Sequence, residues 1–191
     1  NPVEIRKAGT DALLNALDFV KTNFDNEAER NFIMQTVCET TQAESDELRC
    51  AAFECAVRVA ELYYDKLPAY MNALYQITTA VITKATHDEA EEEVAQQAIE
   101  FWSTLCEEEI DLQEEADDNP GATPEHANHR FVAGASPTLV GLLLEALCRQ
   151  SDDTEDDWNV AVASASCLAN VARCVGDDVV GLVFPFIEQH I

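Results

Sequence analysis

The chain has 191 residues, 47% apolar and 25% charged, which is ample for a packed core and argues against disorder. Its 37 acidic against 11 basic residues leave a net charge of −26, which repels nucleic acid and anionic membrane from any surface of that sign and attracts basic partners. No apolar run approaches the roughly 18 residues needed to span a bilayer; the longest, Leu139 to Leu147, contains Glu145 and suits a buried helix.

Six glycines and six prolines leave most of the chain free for helix. The stretch Asn1-Pro2-Val3-Glu4 reads like the interior of a longer protein. An amphipathic helix is expected from Val3 to Thr22, then one from Glu27 to Gln42 carrying Phe32, Ile33, Val37 and Cys38. Ser45-Asp46-Glu47 supplies an N-cap and acidic first turn for a helix to Tyr64. Pro68 suits the first turn of a helix from Leu67 to about Ala85, and His87-Asp88 opens a long acidic helix to about Ala116. Asp117 to Pro124 reads as a loop. Helix is expected again from about Glu125 to Gln150, bent or interrupted near Ser136 by Pro137. Ser151 to Asp157 reads as an acidic loop, Trp158 to Val175 as a helix stopped by Gly176, and Asp177 to Ile191 as a last helix kinked by Pro185.

No segment alternates with period two, so the fold class is all-α with about eight helices. Ile5-Arg6-Lys7-Ala8 followed by Ala12-Leu13-Leu14 recurs as Leu48-Arg49-Cys50-Ala51 followed by Cys55-Ala56-Val57, about 43 residues on. That period points to a HEAT-repeat solenoid, an α-α superhelix of stacked helix pairs that works by presenting long surfaces to partners. The repeats are expected at 1–22 (partial), 27–64, 67–117, 125–175 and 177–191 (partial).

The seven cysteines include no C-x-x-C pair and mostly lie on apolar stripes, as buried free thiols of a reducing compartment would. Enzyme signals are poor. His126 and His129 stand three apart beside Glu125 with no third ligand near, and no phosphate-binding glycine loop or nucleophile elbow occurs. Neither enzyme activity, nor a metal, nor a cofactor is expected.

Three stretches resemble the importin beta (karyopherin beta) family: Glu29-Arg30-Asn31-Phe32-Ile33-Met34-Gln35, Ile99-Glu100-Phe101-Trp102-Ser103, and Asp152-Asp153-Thr154-Glu155-Asp156-Asp157-Trp158-Asn159. Pro124-Glu125-His126 and the closing Phe184-Pro185-Phe186-Ile187-Glu188-Gln189-His190-Ile191 resemble it in the same order. The resemblance spans essentially the whole chain and implies a fragment, from the second helix of the fifth HEAT repeat to the first helix of the ninth. It implies a nuclear import receptor of cytoplasm, nucleus and nuclear pore. The partners implied are Phe-Gly (FG) nucleoporin repeats on the outer face, and Ran-GTP or an importin-alpha-type adaptor's basic segment on the inner. No direct nucleic acid or membrane contact is expected, and a monomer is.

Carried over by this resemblance, Glu29, Phe32 and Ile33 line one nucleoporin groove, and Tyr70 and Ile77 a second. Burying one phenylalanine ring is worth roughly 1.5–3 kcal/mol, so single grooves bind weakly and linked repeats add by effective concentration. Glu100, Glu107, Asp152, Asp153, Glu155, Asp156, Asp157, Trp158 and Asn159 match the acidic inner positions that meet Ran or the adaptor. Glu91 to Glu93 and most of Glu108 to Asp118 read as solvated faces. Set against this are a generic HEAT scaffold, such as a phosphatase regulatory subunit whose grooves are mere inter-repeat packing, and a metal-dependent hydrolase built on His126 and His129.

Overall fold

Helices form here along apolar stripes of helical period. In the computed structural model, which describes residues 2–119, 126–149 and 159–190, the order is α1 (Pro2–Ala16), α2 (Lys21–Asp25), α3 (Glu27–Thr40), α4 (Asp46–Leu62), α5 (Met71–Ala85), α6 (Glu92–Asp118), α7 (Phe131–Leu147), α8 (Val160–Val175) and α9 (Asp178–His190). Short 3-10 turns occupy Leu17–Phe19, Tyr64–Ala69 and Glu89–Glu91. The described residues contain no strand.

The helices stack in two layers. The first layer is α3, α5, α7 and α9; the second is α1, α4, α6 and α8 side by side, with α3 packed on α4, α5 on α6 and α7 on α8. This is an α-α solenoid of helix pairs. Packing between α4 and α6, and between α6 and α8, is much closer than between α3 and α5. A stack whose second layer is tight and whose first is splayed fans open on the first layer, which is therefore the outer face.

Large side chains fill the space between layers. Trp102 of α6 is fully buried and its indole N–H donates to Thr78 Oγ1 of α5 at 3.0 Å. Burial of such a ring dominates local stability, and the hydrogen bond satisfies its one polar atom. Phe24 stacks on Tyr63 with centroids 3.9 Å apart, and the Tyr63 hydroxyl donates to Leu17 O at 2.6 Å, fixing the corner between α1 and α3.

Several element expectations are corrected. The helix expected to run to Thr22 ends at Ala16 and is followed by a 3-10 turn and the short α2. The cap of α3 is Asn26, whose side chain accepts from the N–H groups of Ala28 and Glu29. Ser45 precedes α4 but makes no side-chain cap bond. Pro68 lies inside a 3-10 turn and α5 begins at Met71. Asp117 and Asp118 still belong to α6.

Residues 126–130 are irregular, with the Arg130 N–H bonded to the Asn128 side chain at 2.9 Å, and α7 starts at Phe131. Pro137 does not interrupt α7. The carbonyl that its missing N–H would have bonded is that of Ala133, and the hydroxyl of Ser136 donates to that oxygen at 3.0 Å. Helix α9 likewise continues through Pro185.

All seven cysteines are free, with Cys50, Cys55, Cys106 and Cys167 buried and Cys148 exposed. Arg49, the repeated arginine, is 8% exposed and reaches Glu91 at 2.5 Å, tying α4 to the turn before α6. Its counterpart Arg6 is exposed on α1. Glu91 and Glu92 are therefore more than a solvated face: Glu91 pairs with Arg49, which holds its carboxyl below the ordinary range, and Glu92 with Arg149 at 3.5 Å.

Candidate partner-binding surfaces

On the splayed first layer, Phe32 is 73% exposed. A large ring so bare is a feature that folding alone does not require. Helical geometry separates its neighbours. Asn31 faces α5, since its side-chain oxygen accepts from the Tyr70 hydroxyl. Ile33, two residues on and about 200° round the helix, lies on the opposite flank, half-buried against the core. Met34 and Val37, between the flanks, are buried. Phe32 and Ile33 thus border the side of α3 turned away from α5.

Tyr70 and Ile77 border the other side. The Tyr70 hydroxyl also accepts from Arg30 Nε at 3.2 Å, and Arg30 donates to Phe24 O, so α2, α3 and the start of α5 are tied together. Ile77, two turns on, lines a cleft of about 360 Å³ with Thr41, Ala80 and Lys84. Of the five expected residues, Ile77 lines this cleft, while Phe32 and Ile33 stand on one side of α3 and Tyr70 is bonded to its other side. Glu29 is exposed, but its carboxylate already accepts from Asn23 Nδ2 at 2.6 Å and Asn26 Nδ2 at 3.2 Å.

The second layer carries a pattern that sequence reading saw only in part. Glu93, Glu100, Glu107 and Glu114 recur every seventh residue along α6, and all are exposed. On α4 the same spacing gives Glu47, Glu54 and Glu61, all exposed; near α1 it gives Glu4, Asp11 and Asp18. Seven residues are about two helical turns, so each set forms a stripe along one face.

The stripes are neighbours in space. Lys7, held above its ordinary pKa first by Asp11, also senses Glu47 and Glu54 across the boundary to α4. Cys50, pushed up to about 11 chiefly by burial, senses Glu93 of α6. Lys7 and Arg58 neutralise part of the α1 and α4 stripes, through Asp11, Asp18 and Glu61. Among the described residues none of Glu93, Glu100, Glu107 and Glu114 has an ion-pair partner. Partial burial raises the Glu100 carboxyl above its usual range, and the charge of Glu107 adds to the shift. Glu107 accepts a long 3.4 Å hydrogen bond from Asn170 of α8.

Asp152, Asp153, Glu155, Asp156, Asp157 and Trp158 lie outside the described residues. Asn159 is the N-cap of α8, its side-chain oxygen accepting from Val162 N at 3.0 Å. The His129 ring lies against Tyr64 and Phe131. Among the described residues no three His, Cys, Asp or Glu side chains are placed to hold a metal ion, and no helix is long and apolar enough to cross a membrane.

Two curated relatives fit this arrangement. The chain is 45% identical over 193 residues to importin subunit beta-1 of Schizosaccharomyces pombe, covering 98% of this chain and 22% of that one. It is 45% identical over 191 residues to importin subunit beta-1 of Arabidopsis thaliana, covering 98% and 21%. The chain belongs to the importin beta family. It spans about a fifth of the length of those relatives. No protein-family model matches it.

The fold agrees. The chain superposes on the Kap95:Nup1 complex with a TM-score of 0.89 at 39% identity, covering 97% of this chain and 21% of that one. It superposes equally well, 0.89 at 38% identity over 97% and 21%, on a structure in which Kap95p binding induces the switch loops of RanGDP to adopt the GTP-bound conformation. The two-layer stack is thus the HEAT-repeat solenoid of importin beta.

Proposed function

We propose that this chain is the part of a nuclear transport receptor that engages FG nucleoporin repeats on its splayed outer layer and Ran-GTP or a basic adaptor segment on its acidic inner layer. The observation carrying the reading is the opposition of the two faces: an exposed Phe32 on one layer, four unpaired glutamates of α6 on the other. That Kap95 is solved with Nup1, and that Kap95p acts on the switch loops of RanGDP, supports both halves.

In this reading a nucleoporin phenylalanine inserts beside Phe32 and Ile33, and a second beside Tyr70 and Ile77. Asn23 and Asn26 hold the Glu29 carboxylate at the head of α3, where its remaining lone pairs accept N–H groups of an extended peptide. The α6 stripe, with Asp152, Asp153, Glu155, Asp156, Asp157 and Trp158 leading into the Asn159 cap, receives lysine and arginine side chains. Exposed ion pairs contribute about 0–1 kcal/mol each, so affinity comes from many together and falls with salt. Ran and adaptor compete for one inner face while the outer grooves stay open during transit. The role is binding, not catalysis, in cytoplasm, nucleus and pore, with the chain acting as a monomer. Residues 27–64, 67–117 and 125–175 are its whole repeats, flanked by partial ones at 1–22 and 177–191.

The test is titration of the chain with an FxFG peptide, followed by amide chemical shifts. Shifts clustering on α3 and α5 in the wild type, absent in Ile33→Asp, support the reading. An Ile33→Asp chain that is folded and binds as wild type does leaves the generic scaffold in its place.

A further inference from the structure

We propose that the cleft where α6, α7 and α8 meet is an oxyanion site, gripping a carboxylate or phosphate group between Arg130 and Arg173. The cleft has a volume of about 460 Å³. Ile110, Gln113 and Glu114 of α6 form one wall, Arg130 stands at the mouth of α7, and Arg173 and Val175 close it from the last turn of α8.

Of eleven basic residues, Lys7, Arg49, Arg58, Lys66 and Arg149 are ion-paired and Arg30 is hydrogen-bonded to Phe24 O and Tyr70; Arg6, Lys21, Lys84, Arg130 and Arg173 have no ion pair among the described residues, and of these five Arg130 and Arg173 line one cleft together. Arg130 and Arg173 have no ion pair among the described residues, although Glu114 lines the same cleft. Two guanidinium groups and one carboxylate line the cleft.

The backbone makes the same point. Arg130 is the one non-glycine residue with positive φ among those described, at φ 55° and ψ 42°. Glycine adopts that conformation freely, and an arginine there is strained. The bond from Arg130 N to the Asn128 side chain holds the turn that places Arg130 at the cleft's edge. Arg173, in the last turn of α8, complements that helix's C-terminal dipole, but this role needs no second arginine across the cleft. Guanidinium groups grip carboxylate and phosphate oxygens through paired N–H donors, and the apolar side chains of Ile110 and Val175 shed water from one wall. Gln113 offers an amide donor from α6.

The experiment follows the side-chain Nε–Hε signals of the ¹⁵N-labelled chain during titration with inorganic phosphate and, separately, with a short glutamate-rich peptide. Saturable shifts of both Arg130 and Arg173 are expected with at least one probe, and the tighter probe identifies the source of the oxyanion. Arg130→Gly suits the backbone angle and keeps the fold, while Arg173→Gln keeps a polar side chain. Each variant should weaken binding by about tenfold or more, the loss of one charge-assisted pair of bonds. Shifts that stay linear with both probes, or binding unchanged in Arg130→Gly, would overturn the proposal.

Discussion

The Tyr64 hydroxyl donates to the carboxylate of Glu109 at 3.0 Å, joining the turn after α4 to α6 in a place where Glu109 is only 2% exposed. The same carboxylate accepts from the backbone N–H of Phe131 at 2.5 Å and of Val132 at 3.3 Å, so a side chain of α6 caps α7. Tyr64 in turn accepts from His129 N at 3.0 Å. One buried acid thus holds three elements and fixes where α7 begins. Glu109→Ala strands those donors and should cost about 3 kcal/mol or more in a urea melt. Glu109→Gln keeps an acceptor and should cost distinctly less.

Ser136 and Pro137 form a second coupled pair, and a double-mutant cycle reads it. Ser136→Ala leaves the Ala133 carbonyl without its hydroxyl donor and should cost about 1 kcal/mol. In a Pro137→Ala background the backbone N–H returns, and the same change should cost close to nothing. Equal costs in both backgrounds would show that the hydroxyl is not replacing the missing donor.

Acid should weaken the inner face earlier than ordinary glutamates would. The Glu100 carboxyl is raised above its ordinary value of 4.5, first by burial and then by Glu107. A raised folded-state value means a contribution to stability that is full below the unfolded value and lost as pH rises through the folded one. A cationic peptide reverses the cause, lowers the value and releases a proton. Affinity for a lysine- and arginine-rich peptide should therefore rise with pH across that window, and the rise should shrink in Glu100→Gln. Calorimetry in two buffers of different ionisation heat counts the proton.

Thiol labelling separates the cysteines by burial. Cys148 is exposed, while Cys50 and Cys55 are buried and pushed up to about 11 and about 12, first by that burial. A maleimide should modify Cys148 first in the native chain and reach Cys50 and Cys55 only on unfolding. Early labelling of Cys55, read by mass spectrometry, would mean that α4 does not pack as described.

How much of this was legible beforehand depends on the range of the interaction. Gly176 ends α8 with φ 62°, as a glycine after an apolar stripe announces. Local rules failed where a distant group intervened. Residues 126–130 read as helix, but α7 takes its cap from Glu109, some twenty residues earlier, and no spacing rule finds such a cap. Pro137 read as a bend or interruption near Ser136, and α7 runs through it uninterrupted, the Ser136 hydroxyl bonding the carbonyl that the lost N–H would have served. On α6 the resemblance names Glu100 and Glu107; Glu93 and Glu114, which read as solvated, are exposed and stand in the same seven-residue register. Phe32 and Ile33 are named by resemblance, and no local rule shows that Asn31, two residues before Ile33, bonds the Tyr70 hydroxyl.

The central claim is that opposite layers serve unlike partners independently, and a crossed titration tests it most directly. The chain, its Ile33→Asp variant and its Glu100→Lys/Glu107→Lys variant are each titrated with an FxFG peptide and with a basic peptide, at low and physiological salt. The account predicts that Ile33→Asp abolishes only the salt-insensitive FxFG binding, and that the paired lysines abolish only the salt-sensitive basic-peptide binding. Loss of both activities in either folded variant, or competition between the two peptides, would contradict it.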